Sequence, residues 1–130
     1  MQGLNGTAMD AAMQNHITRL RQHGSDDIQR WDVVNEAVSD NNGKLRNSFL
    51  LNAMGPQFIE NARTYARAAN PSATLCLNDY SIDGINTKSN AYFTMVQDFI
   101  QRGVPIDCMG FQAHLILGQV PGNMLQNLQR

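Results

Sequence analysis

The chain has 130 residues, of which 10 are Lys or Arg and 11 are Asp or Glu, so its formal net charge is −1. This length allows one domain of modest size, and the balanced charge argues against nucleic acid as a partner. No apolar run approaches the roughly 20 residues of a membrane span and no leader segment opens the sequence, so we expect neither membrane insertion nor an export signal within it.

The first part of the chain is predicted to contain one helix and one strand. Apolar residues recur every three or four positions over residues 7–20, which predicts an amphipathic helix with Thr7 as its N-cap. Turn-forming residues at 24–27 then break the helix. Residues 31–34 combine a tryptophan with two valines, which is typical of a buried parallel strand. The strand ends in Asn35 and Glu36, ahead of a loop rich in turn residues.

Two more strands alternate with helices in the rest of the chain. We predict a helix over 56–69, a strand over 74–77, a helix over 88–102 that ends at Gly103, and a strand over 106–111. Polar side chains follow both of these strands, namely Asn78, Asp79, Tyr80, Gln112 and His114.

This alternation predicts an α/β fold with a parallel sheet and right-handed crossovers. Because the carboxyl ends of parallel strands lie on the same side of a sheet, the three polar segments should converge at one mouth. A carboxylate, amides, a histidine and a tyrosine together suit an uncharged substrate rich in hydroxyls, such as a sugar. On spacing alone, the simpler interpretation of Glu36 is a helix cap or a residue facing water, and only the convergence favours a functional role.

The sequence gives no sign of a cofactor. No Gly-rich phosphate loop follows a predicted strand, and no serine lies in a nucleophile elbow. Glu36, Asp79 and His114 are conceivable metal ligands but lack the spacing of a ligand motif. Cys108 lies in mid-strand, where burial disfavours a thiolate nucleophile. We therefore expect neither a cofactor nor a metal.

Four segments resemble successive segments of a known enzyme family. They read WDVVNEA at 31–37, LNDY at 77–80, GVPIDCMGFQAH at 103–114 and LILGQVPG at 115–122. In this order and at these spacings the chain resembles glycoside hydrolase family ten, the endo-β-1,4-xylanases, of actinobacterial type. The resemblance implies that the predicted strands are the fourth, fifth and sixth of the eight in a TIM (β/α)8 barrel. Residues 1–130 would then form a partial catalytic domain.

The resemblance also implies a role for each polar residue at the mouth. Glu36 matches the general acid/base, Asn35 matches the residue that hydrogen-bonds the sugar 2-hydroxyl, and His114 matches the residue that orients the nucleophile. Three further side chains would bind substrate or the acid/base, namely Asn78, Tyr80 and Gln112. For Tyr80 the alternative is a rim aromatic with its hydroxyl in water, and Asp79 is expected to orient its neighbours.

Retaining hydrolysis requires two carboxylates about 5 to 5.5 Å apart. In the family the nucleophile is a Glu in an Ile-Thr-Glu-Leu-Asp-like segment of the seventh strand, and no such segment occurs among the 130 residues. We therefore expect the complete protein to be a secreted retaining endo-xylanase acting on xylan or xylo-oligosaccharides, and the isolated chain to be inactive. The alternatives are a related β-glycanase such as a cellulase, and a non-catalytic sugar-binding or scaffold fragment.

The two cysteines allow two interpretations. Cys76 and Cys108 lie at similar heights on strands predicted to be neighbours, which is compatible with one disulfide. A disulfide would also suit a secreted xylanase of this type. The alternative is a pair of buried thiols.

Overall fold

The chain forms a three-stranded parallel sheet with its helices packed alongside. A computed structural model describes residues 5–24 and 28–130. In chain order the elements are α1 (Gly6–Gly24), β1 (Arg30–Asn35), α2 (Phe49–Met54), α3 (Phe58–Ala69), β2 (Thr74–Asp79), α4 (Thr87–Arg102), β3 (Cys108–Phe111) and α5 (Met124–Leu128). The strands pair in the order β1, β2, β3, so the predicted α/β class and alternation are confirmed. Within these residues no helix has the length and hydropathy needed to cross a membrane.

Several boundaries differ from the sequence prediction. Thr7 was wrong as the N-cap, because α1 begins at Gly6 and the Asn5 side chain accepts the Ala8 amide at 2.9 Å. Residues 25–27 of the predicted break lie outside the described residues. The third strand begins at Cys108 rather than at residue 106. The short helices α2 and α5 were missed because five or six residues carry too little periodicity to be recognised.

The core lies between the sheet and the crossover helices. Leu77 of β2 is completely buried, and Phe58 and Ile59 of α3 and Phe99 of α4 pack in the same cluster. These apolar side chains of α3 and α4 therefore face the sheet. Burying these side chains stabilises the fold by about 1.5 to 3 kcal/mol each.

One charged residue is buried along with the apolar face of α3. The Arg63 guanidinium donates to the carbonyl oxygens of Leu75 and Cys76 at 3.0 and 3.1 Å, and also to that of Pro105. Burial lowers the pKa of Arg63 to about 10. These bonds attach α3 to β2 and to the segment that leads into β3. Periodicity alone gave no reason to place a cation in this core.

The register of the strands places their carboxyl ends side by side. Asn35 pairs with Asn78, which in turn pairs with Gly110. A β-bulge between Asp32 and Val34 shifts the register of β1 just before this point. Bulges are common beside active sites because they redirect the side chains that follow.

The two cysteines also face each other in register. Cys76 and Cys108 form a disulfide with a Cα–Cα distance of 4.5 Å, across a sequence separation of 32 residues. The bond joins β2 to β3 two register positions before Asn78 and Gly110. It therefore ties together the two strands that carry one side of the mouth.

Candidate active site

The backbone turns unusually at the end of every strand. Glu36, Ser81 and Ala113 have φ angles of 55°, 55° and 51°, and each lies one or two residues beyond β1, β2 or β3 respectively. A non-glycine residue in this left-handed region costs free energy that the surrounding structure must supply, and such residues concentrate at functional sites. The mouth predicted from the sequence is therefore also where the backbone is strained.

Glu36 is held at this mouth by both of its neighbouring strands. Its amide donates to the carbonyl oxygen of Asn78 at 2.8 Å, which extends the β1–β2 ladder by one bond. Its Oε1 accepts from Gln112 Nε2 at 3.1 Å, and its Oε2 lies 3.6 Å from Arg46 Nη1. The side chain remains one-third exposed, so a ligand can still reach the carboxyl group.

The amides and the histidine complete a continuous polar row. Asn78 Nδ2 donates to Asn35 Oδ1 at 2.8 Å, and Gln112 Nε2 lies 3.4 Å from the same oxygen. His114 Nε2 lies 3.0 Å from Gln112 Oε1. A Cβ on Gly110 would lie 2.5 Å from Asn78 Oδ1, so glycine is required there for the Asn78 side chain to reach its place. Their roles toward a substrate stay predictions.

Tyr80 is not a rim aromatic with its hydroxyl in water. The hydroxyl donates to Asp40 Oδ2 at 2.6 Å and accepts from Arg46 Nη2 at 3.0 Å. Lys88 Nζ lies 3.7 Å from the ring centroid and the Arg46 guanidinium carbon 5.5 Å from it. Two cations thus fix the orientation of the ring.

Behind this surface lies a buried charged cluster. The Asp79 side chain is fully buried, and its Oδ1 lies 2.7 Å from Lys88 Nζ while its Oδ2 accepts from the Tyr92 hydroxyl at 2.7 Å. Lys88 Nζ also contacts Asp40 Oδ1 at 2.8 Å. Asp79 thus holds Lys88, Tyr92 and the Tyr80 amide together, and its expected role of orienting them stays a prediction.

The electrostatics of the cluster keep these groups in fixed protonation states. Burial lowers the pKa of Lys88, but its hydrogen bonds to Asp40 and Asp79 outweigh burial and the pKa is raised. Hydrogen bonds from Lys88 and Tyr80 hold the pKa of Asp40 below its usual value. Burial, and then the Asp79 carboxylate, raise the pKa of Tyr92. At neutral pH the lysine is charged, Asp40 is ionised and Tyr92 keeps its proton.

Sequence reasoning missed four members of this site, Asp40, Arg46, Lys88 and Tyr92. The first two lie in the loop after β1, where charged residues beside a strand end gave a signal that could have been followed. The other two lie on α4, where the helical spacing of Tyr92 with Met95, Val96 and Phe99 indicates a core residue but no partner for its hydroxyl. Among the described residues no group of three or more His, Cys, Asp or Glu could hold a metal ion.

Comparison with known proteins relates this site to one family. The model of glycosyl hydrolase family 10 matches residues 1–130. Endo-1,4-beta-xylanase B of Thermotoga neapolitana is 43% identical over 103 residues, which make up 79% of this chain and 30% of that protein. The chain is thus similar to one stretch of a longer protein.

Solved structures show the same relation in three dimensions. Native xylanase 10B of Thermotoga maritima superposes with a TM-score of 0.94 at 36% identity, over 98% of this chain and 40% of that one. Xylanase 10B of Thermotoga petrophila RKU-1, solved in complex with xylobiose, superposes with a TM-score of 0.91 at 36% identity, over 99% of this chain and 39% of that one. The chain therefore spans less than half the length of the proteins that it resembles.

Proposed function

The chain belongs to glycosyl hydrolase family 10, and from this membership we propose that the complete gene product is an endo-β-1,4-xylanase that cleaves xylan with retention of configuration. The observation that carries the proposal is the partly exposed Glu36 carboxylate, held by Gln112 and Arg46 at the carboxyl ends of parallel strands. The xylanases named above, one of them with bound xylobiose, support xylan as the substrate.

In this proposal Glu36 is the general acid and then the general base. It protonates the departing glycosidic oxygen, and its carboxylate later removes a proton from the water that hydrolyses the glycosyl-enzyme intermediate. Gln112 holds Oε1 through its N–H and thereby fixes the plane of the carboxyl group. The nucleophile is a second carboxylate about 5 to 5.5 Å away, contributed by a part of the protein outside residues 1–130 and oriented by His114.

The remaining side chains of the mouth bind the sugar. Asn35 hydrogen-bonds the 2-hydroxyl of the sugar being cleaved, and Asn78, which holds Asn35 at 2.8 Å, fixes the direction of that amide. Tyr80 provides an aromatic surface on the leaving-group side, with its orientation set by Asp40 and Arg46. The three strands correspond to the fourth, fifth and sixth strands of the barrel in this proposal.

We also propose that the protein is secreted. The disulfide between Cys76 and Cys108 supports this, because such bonds persist in oxidising compartments outside the cytosol. Detection of the protein and of its oxidised cysteines in culture supernatant tests the proposal. Finding it only in the cytosol with two free thiols would contradict it.

The function is tested with the complete gene product by measuring reducing-sugar release from xylan and, separately, from cellulose. We expect turnover of xylan, and Glu36→Ala should lower kcat on xylan by about 10² to 10⁴-fold, as expected for loss of a general acid. Glu60→Ala is the matched control, since this partly exposed glutamate of α3 pairs with Arg102 of α4 and contacts no residue of the mouth in the described structure. Greater turnover of cellulose than of xylan, or an active Glu36→Ala enzyme, would refute the proposal.

A further inference from the structure

A buried chain of two hydrogen bonds links the backbone beside Glu36 to Asp79. The Ala37 amide donates to the Tyr92 hydroxyl at 3.0 Å, and the same hydroxyl donates to Asp79 Oδ2 at 2.7 Å. Tyr92 is 2% exposed and Asp79 is 0% exposed, so water does not compete for these bonds. The Tyr92 hydroxyl therefore has one fixed arrangement, accepting from the backbone and donating to the carboxylate.

The bond to Ala37 matters because of the residue that precedes it. Glu36 has a φ of 55°, a conformation that a non-glycine residue adopts only when its surroundings hold it there. The Glu36 amide is bonded to the Asn78 carbonyl at 2.8 Å, and the next amide along the chain is bonded to Tyr92. The peptides on both sides of Glu36 are thus fixed, one by β2 and the other by α4.

Asp79 anchors this chain of hydrogen bonds. Its Oδ1 accepts from Lys88 Nζ and from the Tyr80 amide, both at 2.7 Å, so the carboxylate cannot rotate away from Tyr92 without breaking two further bonds. Lys88 is itself buried and bonded to Asp40. The position of the Tyr92 hydroxyl is therefore determined by two buried charged groups, Asp79 and Lys88.

We propose that Tyr92, anchored by Asp79, is a positioning residue that holds the backbone of Glu36 in the geometry needed for proton transfer. This inference rests on the proposed function, since it assigns Glu36 as the acid/base. The Tyr92 hydroxyl is bonded to the backbone that follows Glu36 and not to the Glu36 carboxyl group, so its effect on Glu36 passes through the backbone at residues 37 and 38.

Removing the hydroxyl alone tests the proposal. In Tyr92→Phe the Ala37 amide and Asp79 Oδ2 each lose a partner, so α4 no longer holds the backbone that follows Glu36 and the Glu36 carboxyl group is placed less precisely. We expect kcat/KM for a xylo-oligosaccharide to fall about tenfold, because proton transfer to the leaving oxygen depends steeply on geometry. For a dinitrophenyl xylobioside, whose leaving group departs without a proton, we expect kcat/KM to change by less than about twofold.

The contrast between the two substrates separates positioning from a general loss of structure, because a smaller folded fraction lowers both values equally. The matched control is Tyr65→Phe, which removes a hydroxyl that donates to the Asp10 carboxylate at 2.6 Å between α3 and α1. It should lower neither value. Equal losses on both substrates, or no loss on either, in Tyr92→Phe would overturn the proposal.

Glu36→Ala, measured beside these variants, separates this inference from the function on which it rests. If Glu36→Ala loses xylo-oligosaccharide turnover while Tyr92→Phe matches wild type, the inference fails and the function stands. If Glu36→Ala is fully active, the function itself fails. Should Tyr92→Phe not fold, kcat/KM for the two substrates is measured on Asp79→Asn, which weakens the anchor and leaves the Tyr92 hydroxyl bonded to Ala37. If the ratio of kcat/KM for the xylo-oligosaccharide to kcat/KM for the dinitrophenyl xylobioside is the same as in wild type, the proposal is also overturned.

Discussion

Lys88 is the residue whose loss should destabilise the site most. Its ammonium group is almost completely buried and lies 2.7 Å from Asp79 Oδ1, 2.8 Å from Asp40 Oδ1 and 3.0 Å from the Tyr80 carbonyl oxygen. In Lys88→Met the Asp79 carboxylate keeps its bonds to the Tyr92 hydroxyl and the Tyr80 amide but has no counter-charge. Removing one partner of a buried ion pair costs about 3 to 5 kcal/mol, so we expect a loss of that size in the free energy of unfolding.

The assay is urea unfolding of the complete gene product, followed by far-UV circular dichroism. Arg102→Met is the control, since its ion pairs with Asp98 and Glu60 are exposed and such pairs contribute little, so the urea midpoint should hardly move. The double variant Lys88→Met with Asp79→Asn should recover part of the loss, because the unpaired charge is then gone. Equal shifts for Lys88→Met and Arg102→Met, or no recovery in the double variant, would refute this reasoning.

Three further predictions concern the disulfide, the stability of the fold at low pH and the packing of the mouth. Replacing Cys76 and Cys108 together by Ala should lower the free energy of unfolding by about 2 to 4 kcal/mol, measured by urea unfolding without reductant, and an unchanged midpoint would contradict it. The hydrogen bond from the Leu75 amide of β2, and to a lesser extent that from Arg67, lowers the pKa of Asp107. The contribution of Asp107 to the free energy of unfolding is therefore complete above the ordinary carboxyl pKa and is lost as the pH falls through the lowered value. Asp107→Asn should therefore flatten the decline of stability below about pH 4 in acid titrations followed by circular dichroism, and an unaltered acid limb would argue against it. Gly110→Ala should lower kcat/KM on xylan by about tenfold, because its Cβ displaces Asn78, and wild-type kinetics would count against this packing.

The arrangement of strands was accessible from the sequence because it depends on local patterns. Residues 31–34 and 74–77 are short apolar runs between turn signals, and each ends in side chains that do not belong in a core. Parallel pairing then brings Asn35, Glu36 and Asn78 together without further information. The left-handed backbone of Glu36 was not accessible, because nothing in its own side chain favours that conformation.

The network behind the mouth was missed because its members are distant in sequence. Tyr92 bonds to the Ala37 amide across 55 positions, and Lys88 bonds to Asp40 across 48. Helical periodicity places Tyr92 correctly in the core but says nothing of where its hydroxyl goes. Lys88 begins a predicted helix, where a lysine ordinarily extends into water. Only the packing of α4 against the sheet brings these two residues behind the mouth.

The central claim, that Glu36 is the acid/base of a retaining xylanase, is tested most directly by adding azide to Glu36→Ala. With a dinitrophenyl xylobioside the variant should form the glycosyl-enzyme and then hydrolyse it slowly, because no base activates water. Azide needs no deprotonation and can occupy the space that the carboxylate leaves. We predict that it raises kcat by about tenfold or more and yields a β-xylobiosyl azide, while the wild-type enzyme is unaffected. No acceleration by azide, or an α-configured product, would contradict the assignment.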